Sequence, residues 1–558
     1  MKDAAAGLWP CWRQLCQDRR AAFVVVVSLF VVFALPLLFS LTTHQVWEDF
    51  LITFRFSRNA ARGLGLVYNP GERVYGFTSP LNVLLPFLWQ VSAKTADYHP
   101  ALWFFSACGL GVMCLGIIAV VWQSYQQGAR APYWLIVLIP VICLLQVKTT
   151  AFAVNGQEAG FLVGFLALAL VGAVRGFSTN PFLSGLFWAG LLWTRPDAPV
   201  YIAALVLGGL LFNGRPRHAE VRGAAKSALI CATLYLPWLV WTTWYYGSPI
   251  PNTAIAKIGV LAEQWGAVCG WRQFPHTFLT ALSRAFEPIY AEAGGWPRWL
   301  AWFSLGCGLF SAIYWALPTS DRLGRIASIG FLFIGLYLGW MGTTGIMYPW
   351  YFPPMGLLAS IVLGRSLGRL APTVPGSVSA LACAAVIGPA AWIFSASLLE
   401  LRLQQQEIET GTRALVGEWL REHAQPGESV FLEPIGYIGY YSNLRVIDYP
   451  GLVSPLVVSL RRSGVKGFFA LARVIQPPWL VMRTREASRM RGYPEFQQDY
   501  ELAASFDAIP RLEHYLVPAG FGYLLMDSRF LVWRRRSSPG IPTDGLAAGH
   551  CPLPPGLR

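Results

Sequence analysis

The chain has 558 residues, 55% of them hydrophobic and only 13% charged, and its mean hydropathy is +0.45. A soluble globular protein carries about 25% charged residues, so this composition excludes an ordinary soluble enzyme and indicates a polytopic α-helical membrane protein. Basic loops facing the cytoplasm account for the formal net charge of +14 without a nucleic-acid partner.

Arg19 and Arg20 precede an apolar run from Ala21 to Leu41. The run is long enough to cross a hydrocarbon core of about 30 Å, and no Ala-x-Ala processing signal follows it. It therefore reads as a first span rather than a cleaved leader. Continuing along the chain gives about eleven spans, near 21–43, 101–123, 132–147, 158–174, 181–193, 198–212, 227–245, 297–317, 326–342, 351–364 and 376–398. The Pro-containing apolar segment 79–92 reads as re-entrant or interfacial. The ten cysteines form no disulfide framework or CxxC pair, and six of them, such as Cys143 and Cys231, fall inside apolar runs.

The positive-inside rule orients the spans. With the N-terminus in the cytoplasm, carrying Lys2, Arg13, Arg19 and Arg20, every cytoplasmic connection is basic: Arg130; Arg175; Arg215, Arg217, Arg222 and Lys226; Arg322 and Arg325; Arg365 and Arg369. The opposite side receives the unusual segments: the first loop 44–100, "KTTAFAVNGQE", "TRPD", the loop beginning "YGSPIPNTAIAK", and "GTTGIMYPWY". Residues 1–399 are expected to form the membrane domain and 400–536 a small extracytoplasmic α/β domain. That second domain would have a helix over 404–423 and strands and turns in "SVFLEPIGYIGYYSNLRVIDYPGL", "PPWLVMRT" and "RFLVWRRR". Residues 537–558, rich in Pro and Gly, read as a disordered tail. No internal repeat is visible.

In the first loop, "VWEDFLITFRFSRNAARG" carries Arg55, Arg58 and Arg62 at i, i+3 and i+7, one stripe on a helix. Leu51, Ile52, Phe54 and Phe56 are apolar, so this helix is expected to lie in the membrane interface. The stripe suits a lipid-linked phosphate, which Arg grips in bidentate fashion, and equally suits snorkelling to ordinary headgroups. Glu48 and Asp49 are candidates for a general base, for metal ligation or for a helix cap. "TRPD" sets Arg195 and Asp197 in a tight turn, as a polar cavity or an ion pair between span ends. Glu158 opens the fourth span at the positive end of a helix dipole. Asn252, Thr253 and Lys257 share the same external surface, and Tyr348, Trp350 and Tyr351 are belt aromatics or a sugar-stacking surface. Glu433 and Asp448 in the tail are candidates for binding an acceptor or for structure. Glu48, Asp49, Glu158 and Asp197 are the acids a divalent cation would use, though no ligand spacing demands one.

The stretch "WEDFLITFRFSRNAARGLGLVYNPGERVYGFTSPL" resembles the first external loop of the polyprenyl-phosphate-dependent arabinofuranosyltransferases of bacterial cell-wall synthesis, a family of terminal arabinofuranosyltransferase-like enzymes. "GQE" (Gly156 to Glu158), "TRPD" (Thr194 to Asp197), "PNTAIAK" (Pro251 to Lys257) and "IGYIGYYSNLRVIDYPGL" resemble further segments of that family, in the same order. The resemblance covers most of 40–260 plus 430–455. "TTGIMYPWYFPP" departs from the family's form, which leaves the sugar and acceptor open.

The resemblance implies the GT-C glycosyltransferase fold, a polyprenyl-phosphate sugar donor, and a glycan, lipid or protein acceptor outside the bacterial inner membrane. It implies that Asp49, with Glu48 beside it, serves the acceptor hydroxyl. Arg55, Arg58, Arg195 and Lys257 would serve the donor phosphate. Glu158 and Asp197 would orient the sugar or Arg195, and Asn252, Thr253, Trp350 and Tyr351 would line the sugar and acceptor site. A transporter or flippase of lipid-linked sugars is the alternative. It is disfavoured because the charges cluster on one side and no repeat is seen. Eleven spans would also be excessive for a membrane-anchored glycan-binding protein.

Overall fold

The structure is a computed structural model that describes residues 18–95, 97–127, 132–257, 271–517 and 519–536. The expected disordered tail, Lys2, Arg13 and Arg130 lie outside the described residues. The membrane part begins with α1 (Arg19–Thr43), α2 (Glu48–Ala61), α3 (Pro80–Ala93), α4 (Tyr98–Gln126), α5 (Leu138–Leu145), α6 (Val147–Val154) and α7 (Ala159–Arg175). It continues with α8 (Pro181–Thr194), α9 (Ala198–Phe212), α10 (Arg217–Tyr246), α11 (Phe274–Arg284), α12 (Arg298–Ile313), α13 (Arg322–Gly342), α14 (Pro353–Leu370) and α15 (Gly376–Leu403).

Among the described residues six helices are long and apolar enough to cross a membrane: α1, α4, α10, α12, α13 and the helix that starts with α15. A seventh arises if the segment Tyr133–Leu145 and α6, bent by 67°, form one broken span. The expected eleven therefore do not all reach spanning length. α7, α8 and α9 are shorter apolar helices of 10–17 residues, and α14 carries Arg365 and Arg369. Close packing of α4 on α7 depends on small residues, because a Cβ on Gly116 would lie 2.4 Å from the Gly164 carbonyl oxygen. Without a hydrophobic driving force between lipid-embedded helices, such approach supplies the association energy.

α15 does not stop at the expected domain boundary. One helix runs from Gly376 to His423, with a π-helical stretch Gln404–Ala414 and a final α-helical segment, α16 (Leu415–His423). π turns are rare and often sit at functional positions; here the wide turns carry Glu409 and Arg413 into a buried cluster.

Beyond it lie β1 (Ser429–Leu432), α17 (Tyr437–Ser442), β2 (Arg445–Asp448), β3 (Trp479–Arg483), β4 (Tyr500–Asp507) and β5 (Arg529–Arg535), with short helices between them. The sheet order is β2-β1-β3-β5-β4. β1 is parallel to β2 and β3, and β5 is antiparallel to β3 and β4.

The first external loop and this sheet domain form one packed unit. Val430, Leu432, Val446, Trp479 and Val532 of the sheet share a core with Ile52, Phe56, Tyr68 and Phe77 of the loop. Asn69 reads the edge of β2 as a strand would: its Nδ2 donates to the Val446 carbonyl at 2.9 Å and its Oδ1 accepts from Val446 N at 3.1 Å. α2 is therefore buried beneath α17 and does not lie open on a surface as its amphipathic pattern suggests. Phe50, Leu51, Phe54 and Phe56 are all buried, and so are Arg55 and Arg58.

Candidate active site

The N-terminus of α2 is held from two sides. Trp47 N donates to the Asn155 carbonyl at 2.8 Å, which ties it to the link between α6 and α7. Glu48 accepts from Arg413 Nη1 at 2.6 Å and from Gly436 N at 3.1 Å, which ties it to the sheet domain. The next residue, Asp49, points back to the membrane helices, where Gln157 Nε2 donates to its Oδ2 at 3.1 Å. Gly156, before Gln157, has φ +97°, and a Cβ there would lie 2.5 Å from Phe50. The "NGQE" turn thus needs glycine to bring Gln157 against α2.

Arg195 sits between two carboxylates. Its Nη1 reaches Glu158 Oε1 at 2.9 Å, while Nε and Nη2 reach Asp197 at 2.8 and 3.2 Å. Tyr201 donates its hydroxyl to Asp197 at 3.0 Å, and the guanidinium lies 4.5 Å from the centre of the Tyr351 ring. Arg195, Glu158 and Tyr201 are buried and Asp197 is largely covered, so the triad closes on itself. Lys257 lies 4.9 Å from the centre of the Tyr348 ring and 5.5 Å from that of Trp350. Among the described residues it has no carboxylate within ion-pair distance. Its charge acts on Asp49, and Glu158 acts on the same carboxylate with the opposite sign. Trp350 stacks on Tyr348 at 4.7 Å and meets Trp47 edge-on at 6.0 Å. Asp49, Gln157, Glu158, Arg195, Asp197, Lys257, Tyr348, Trp350 and Tyr351 therefore form one neighbourhood at the N-terminal ends of α7 and α9 and the C-terminal end of α8.

Burial raises the Asp49 carboxyl above its ordinary value, with Lys257 and Gln157 opposing the rise. Burial also raises Glu48, against the pull of Arg413. A carboxylate with a raised pKa, close to a cation, can accept a proton near neutral pH.

Several expected site residues lie elsewhere. Arg55 is turned into the interface with the sheet domain, donating to the carbonyls of Tyr68 at 3.0 Å, Gly439 at 2.5 Å and Leu444 at 2.7 Å. With its donors spent on backbone, it is a clamp between domains rather than a phosphate ligand. Arg58 donates to Asn443 Oδ1 at 3.0 Å and lies over the Tyr440 ring at 4.7 Å, on the same interface. Asn252 binds the Gly451 and Leu452 carbonyls at 2.7 and 2.9 Å, so it fastens its loop to the sheet domain instead of facing a sugar. Thr253 is buried and its hydroxyl has no hydrogen-bond partner. Arg195 spends one N–H of each of its three nitrogens on Glu158 and Asp197, so its first role is to organise the site.

The acids are split as well. Glu48 goes to Arg413, and Glu158 and Asp197 go to Arg195. Among the described residues no group of three or more His, Cys, Asp or Glu is placed to hold a metal ion. Glu433 pairs with Arg483, and Asp448 caps the turn after β2 by accepting from Leu452 N and Val453 N. Sequence reasoning missed Gln157, although it stands inside the motif that marked Glu158. It also missed Arg413, which binds Glu48, Glu409 and Asp527 together and has no motif around it.

Residues 400–526 match a family model described as "Domain of unknown function (DUF8728)". The terminal β-(1→2)-arabinofuranosyltransferase of Corynebacterium glutamicum is 29% identical over 262 residues, covering 41% of this chain and 35% of that protein. The enzyme of the same name from Mycobacterium tuberculosis is 26% identical over 363 residues, covering 54% of each. In sequence the chain is thus similar to part of two terminal arabinofuranosyltransferases. It spans about half the length of these curated relatives, or less.

Among solved structures, the archaeal oligosaccharyltransferase AglB from Archaeoglobus fulgidus, in complex with an inhibitory peptide and a dolichol-phosphate, superposes with a TM-score of 0.52 at 12% identity over 83% of this chain and 69% of that one. ArnT from Cupriavidus metallidurans, bound to undecaprenyl phosphate, gives 0.50 at 11% identity over 93% and 99%. The chain thus carries the GT-C fold in a multi-pass membrane protein.

Proposed function

We propose that the protein is a membrane glycosyltransferase that moves a sugar, arabinofuranose or a related one, from a polyprenyl phosphate to a hydroxyl of an extracytoplasmic glycan, lipid or protein. The observation that carries this reading is the gathering of Asp49 and Lys257 in one neighbourhood: a half-buried carboxylate held by Gln157, within reach of the charge of an ammonium that has no carboxylate at ion-pair distance among the described residues. The curated relatives supply the sugar class.

In this reading Asp49 takes the proton of the acceptor hydroxyl as its oxygen bonds to the anomeric carbon. The bond from that carbon to the phosphate oxygen breaks, and the electron pair leaves with the lipid phosphate. Lys257 meets the charge that develops there, the kind of electrostatic stabilisation that dominates many enzymes. Glu158, Arg195 and Asp197 hold the floor rigid. Tyr348, Trp350 and Tyr351 offer flat apolar faces to a sugar. The basic connections support a site that faces the periplasm of a bacterial inner membrane, with the N-terminus in the cytoplasm.

The test is transfer by the full chain in nanodiscs from a polyprenyl-phosphate arabinofuranose donor to a panel of glycan, lipid and peptide acceptors. Asp49→Asn is assayed beside it. Transfer by wild type and none by a folded mutant is the expected result. A folded Asp49→Asn with full turnover overturns the assignment of the base, and donor binding without transfer by wild type overturns the reaction class.

A further inference from the structure

At the external ends of α8 and α10, on the side of Trp193 away from the Arg195 triad, lies a cavity of about 540 Å³. Its walls are Ala60 and Leu66 of the first loop, Phe87 of α3, Trp193 of α8, and Trp238 and Trp241 of α10. No carboxylate lines it. The outward faces of the same helices are exposed apolar surface, with Leu88 on α3 and Leu236, Val240 and Trp244 on α10. In a membrane span such a face meets lipid.

One rim is cationic. Trp241 stacks on Tyr245 at 5.0 Å, and the Arg73 guanidinium lies 4.9 Å from the centre of the Tyr245 ring. Tyr245 is fixed there because its hydroxyl accepts from Leu66 N at 3.1 Å. Arg62, exposed, belongs to the same turn as the cavity residues Ala60 and Gly63. Neither arginine has a carboxylate within ion-pair distance among the described residues, and Glu72, beside Arg73, is taken by Arg445 at 2.6 Å. An apolar, Trp-lined cavity under two unpaired guanidiniums, at the level where aromatic belts sit, matches one amphiphile: an anionic head over a hydrocarbon tail.

We propose that this cavity is a site for an anionic glycerophospholipid of the surrounding bilayer. One acyl chain fills the space among the tryptophans, and the headgroup phosphate meets Arg73 and Arg62. At about 30 Å³ for a water-sized group, 540 Å³ takes roughly eighteen methylene-sized groups, the length of one acyl chain. α2 runs from Asp49 to Ala60, about 16 Å at 1.5 Å per residue, so this lipid is separate from the candidate reaction centre. The proposal does not depend on the transferase reading.

The test is to purify the full chain from nanodiscs of equimolar phosphatidylcholine and phosphatidylglycerol and to quantify the lipids it retains by mass spectrometry. Each surface cation contributes about 1 kcal/mol to binding an anionic lipid, so with two arginines wild type is expected to retain phosphatidylglycerol roughly thirtyfold over phosphatidylcholine. Arg73→Gln, an exposed change that leaves packing alone, is expected to lower that preference to roughly fivefold. Ala60→Leu, which fills the cavity, is expected to retain neither while keeping the wild-type helical signal. The proposal is overturned if wild type retains no lipid or shows no preference, or if Arg73→Gln leaves the preference unchanged. Retention of a polyprenyl phosphate in place of a glycerophospholipid also overturns it.

Discussion

Arg55→Met separates a structural clamp from a phosphate ligand. The guanidinium donates to three carbonyls, of which the Tyr68 oxygen also accepts from Asn59 Nδ2 at 3.0 Å and the Gly439 oxygen is approached by the Ser442 hydroxyl at only 3.5 Å. The substitution therefore leaves the Leu444 oxygen without its donor and the Gly439 oxygen with a poor one. A buried polar group left without a partner costs about 1–3 kcal/mol, so two such groups cost about 2–6 kcal/mol. Methionine has no charge to desolvate, which returns part of that, and a net loss of about 2–4 kcal/mol is expected. Because two of the three carbonyls belong to the sheet domain, the loss falls on domain docking. The assay is thermal unfolding in detergent together with limited proteolysis between 424 and 536, read beside the donor KM of the folded fraction. Earlier unfolding, faster cleavage and an unchanged donor KM are expected. An Arg55→Met protein that melts like wild type and binds donor tenfold more weakly would refute the reasoning and return Arg55 to the phosphate.

The raised Asp49 carboxyl fixes two signs. As the base it must be ionised, so kcat/KM is expected to fall as pH drops through a value above the ordinary aspartate value of 3.8, and a profile flat to acid pH is the contrary outcome. Because its folded pKa lies above the unfolded one, the ionised carboxylate costs stability above that pKa and the cost vanishes as pH falls through it. Asp49→Asn should then melt at or above the wild-type temperature at neutral pH. Lys257→Met and Arg195→Met are expected to part company, the first folding normally with turnover lowered by about 10²-fold or more, the second unfolding early because Glu158 and Asp197 lose their shared cation. At Asp527, burial raises the carboxyl, but Arg413 and Arg483 outweigh it and hold it at about 2 against an ordinary 3.8. That shift is worth roughly 2 kcal/mol, present at neutral pH and lost between about pH 5 and pH 2. Melting curves across that window should show Asp527→Asn with a shallower acid slope than wild type.

Much of the site was legible because its motifs are local. "GQE" and "TRPD" each concentrate polar residues at the end of an apolar run, and the structure joins them as Glu158, Arg195 and Asp197. The spans were legible where apolar runs are long. At α7, α8 and α9 the apolar helices are shorter than a full span, so length and hydropathy do not reproduce the count of eleven there. Arg55 and Arg58 were misread for a physical reason: a stripe at i, i+3 and i+7 looks the same whether it faces headgroups or lies under a domain encoded nearly four hundred residues later. Asn252 fails in the same way, since its partners Gly451 and Leu452 are remote in sequence. β4 escaped notice because Tyr500–Asp507 is largely exposed, so an edge strand that buries little gives no alternation to read. The continuous helix through Gln404–Ala414 was hidden by its polarity, which resembles a domain boundary but serves the buried cluster around Arg413.

The adjacent acids Glu48 and Asp49 look like a pair, yet helix geometry forbids a shared role. Successive residues on an α-helix are about 100° apart, so one faces the sheet domain when the other faces the membrane helices. Glu48 takes Arg413 and Gly436, and Asp49 takes Gln157. The two isosteric amides should therefore fail differently. In Asp49→Asn the proton acceptor is gone while the packing is intact. Turnover should fall by about 10²–10⁴-fold, the usual worth of a general base, with no loss of melting temperature. In Glu48→Gln, Arg413 keeps Glu409 and Asp527, so the cost stays below the roughly 3–5 kcal/mol of a fully orphaned buried pair and is expected near 1–2 kcal/mol. It should be felt as weaker docking of the sheet domain, with turnover of the folded fraction within about tenfold of wild type. If both amides lose turnover equally without loss of stability, the division is wrong and the two carboxylates act together. If Glu48→Gln alone abolishes transfer, Glu48 is the base, and Arg413, not Lys257, is the cation that sets its pKa.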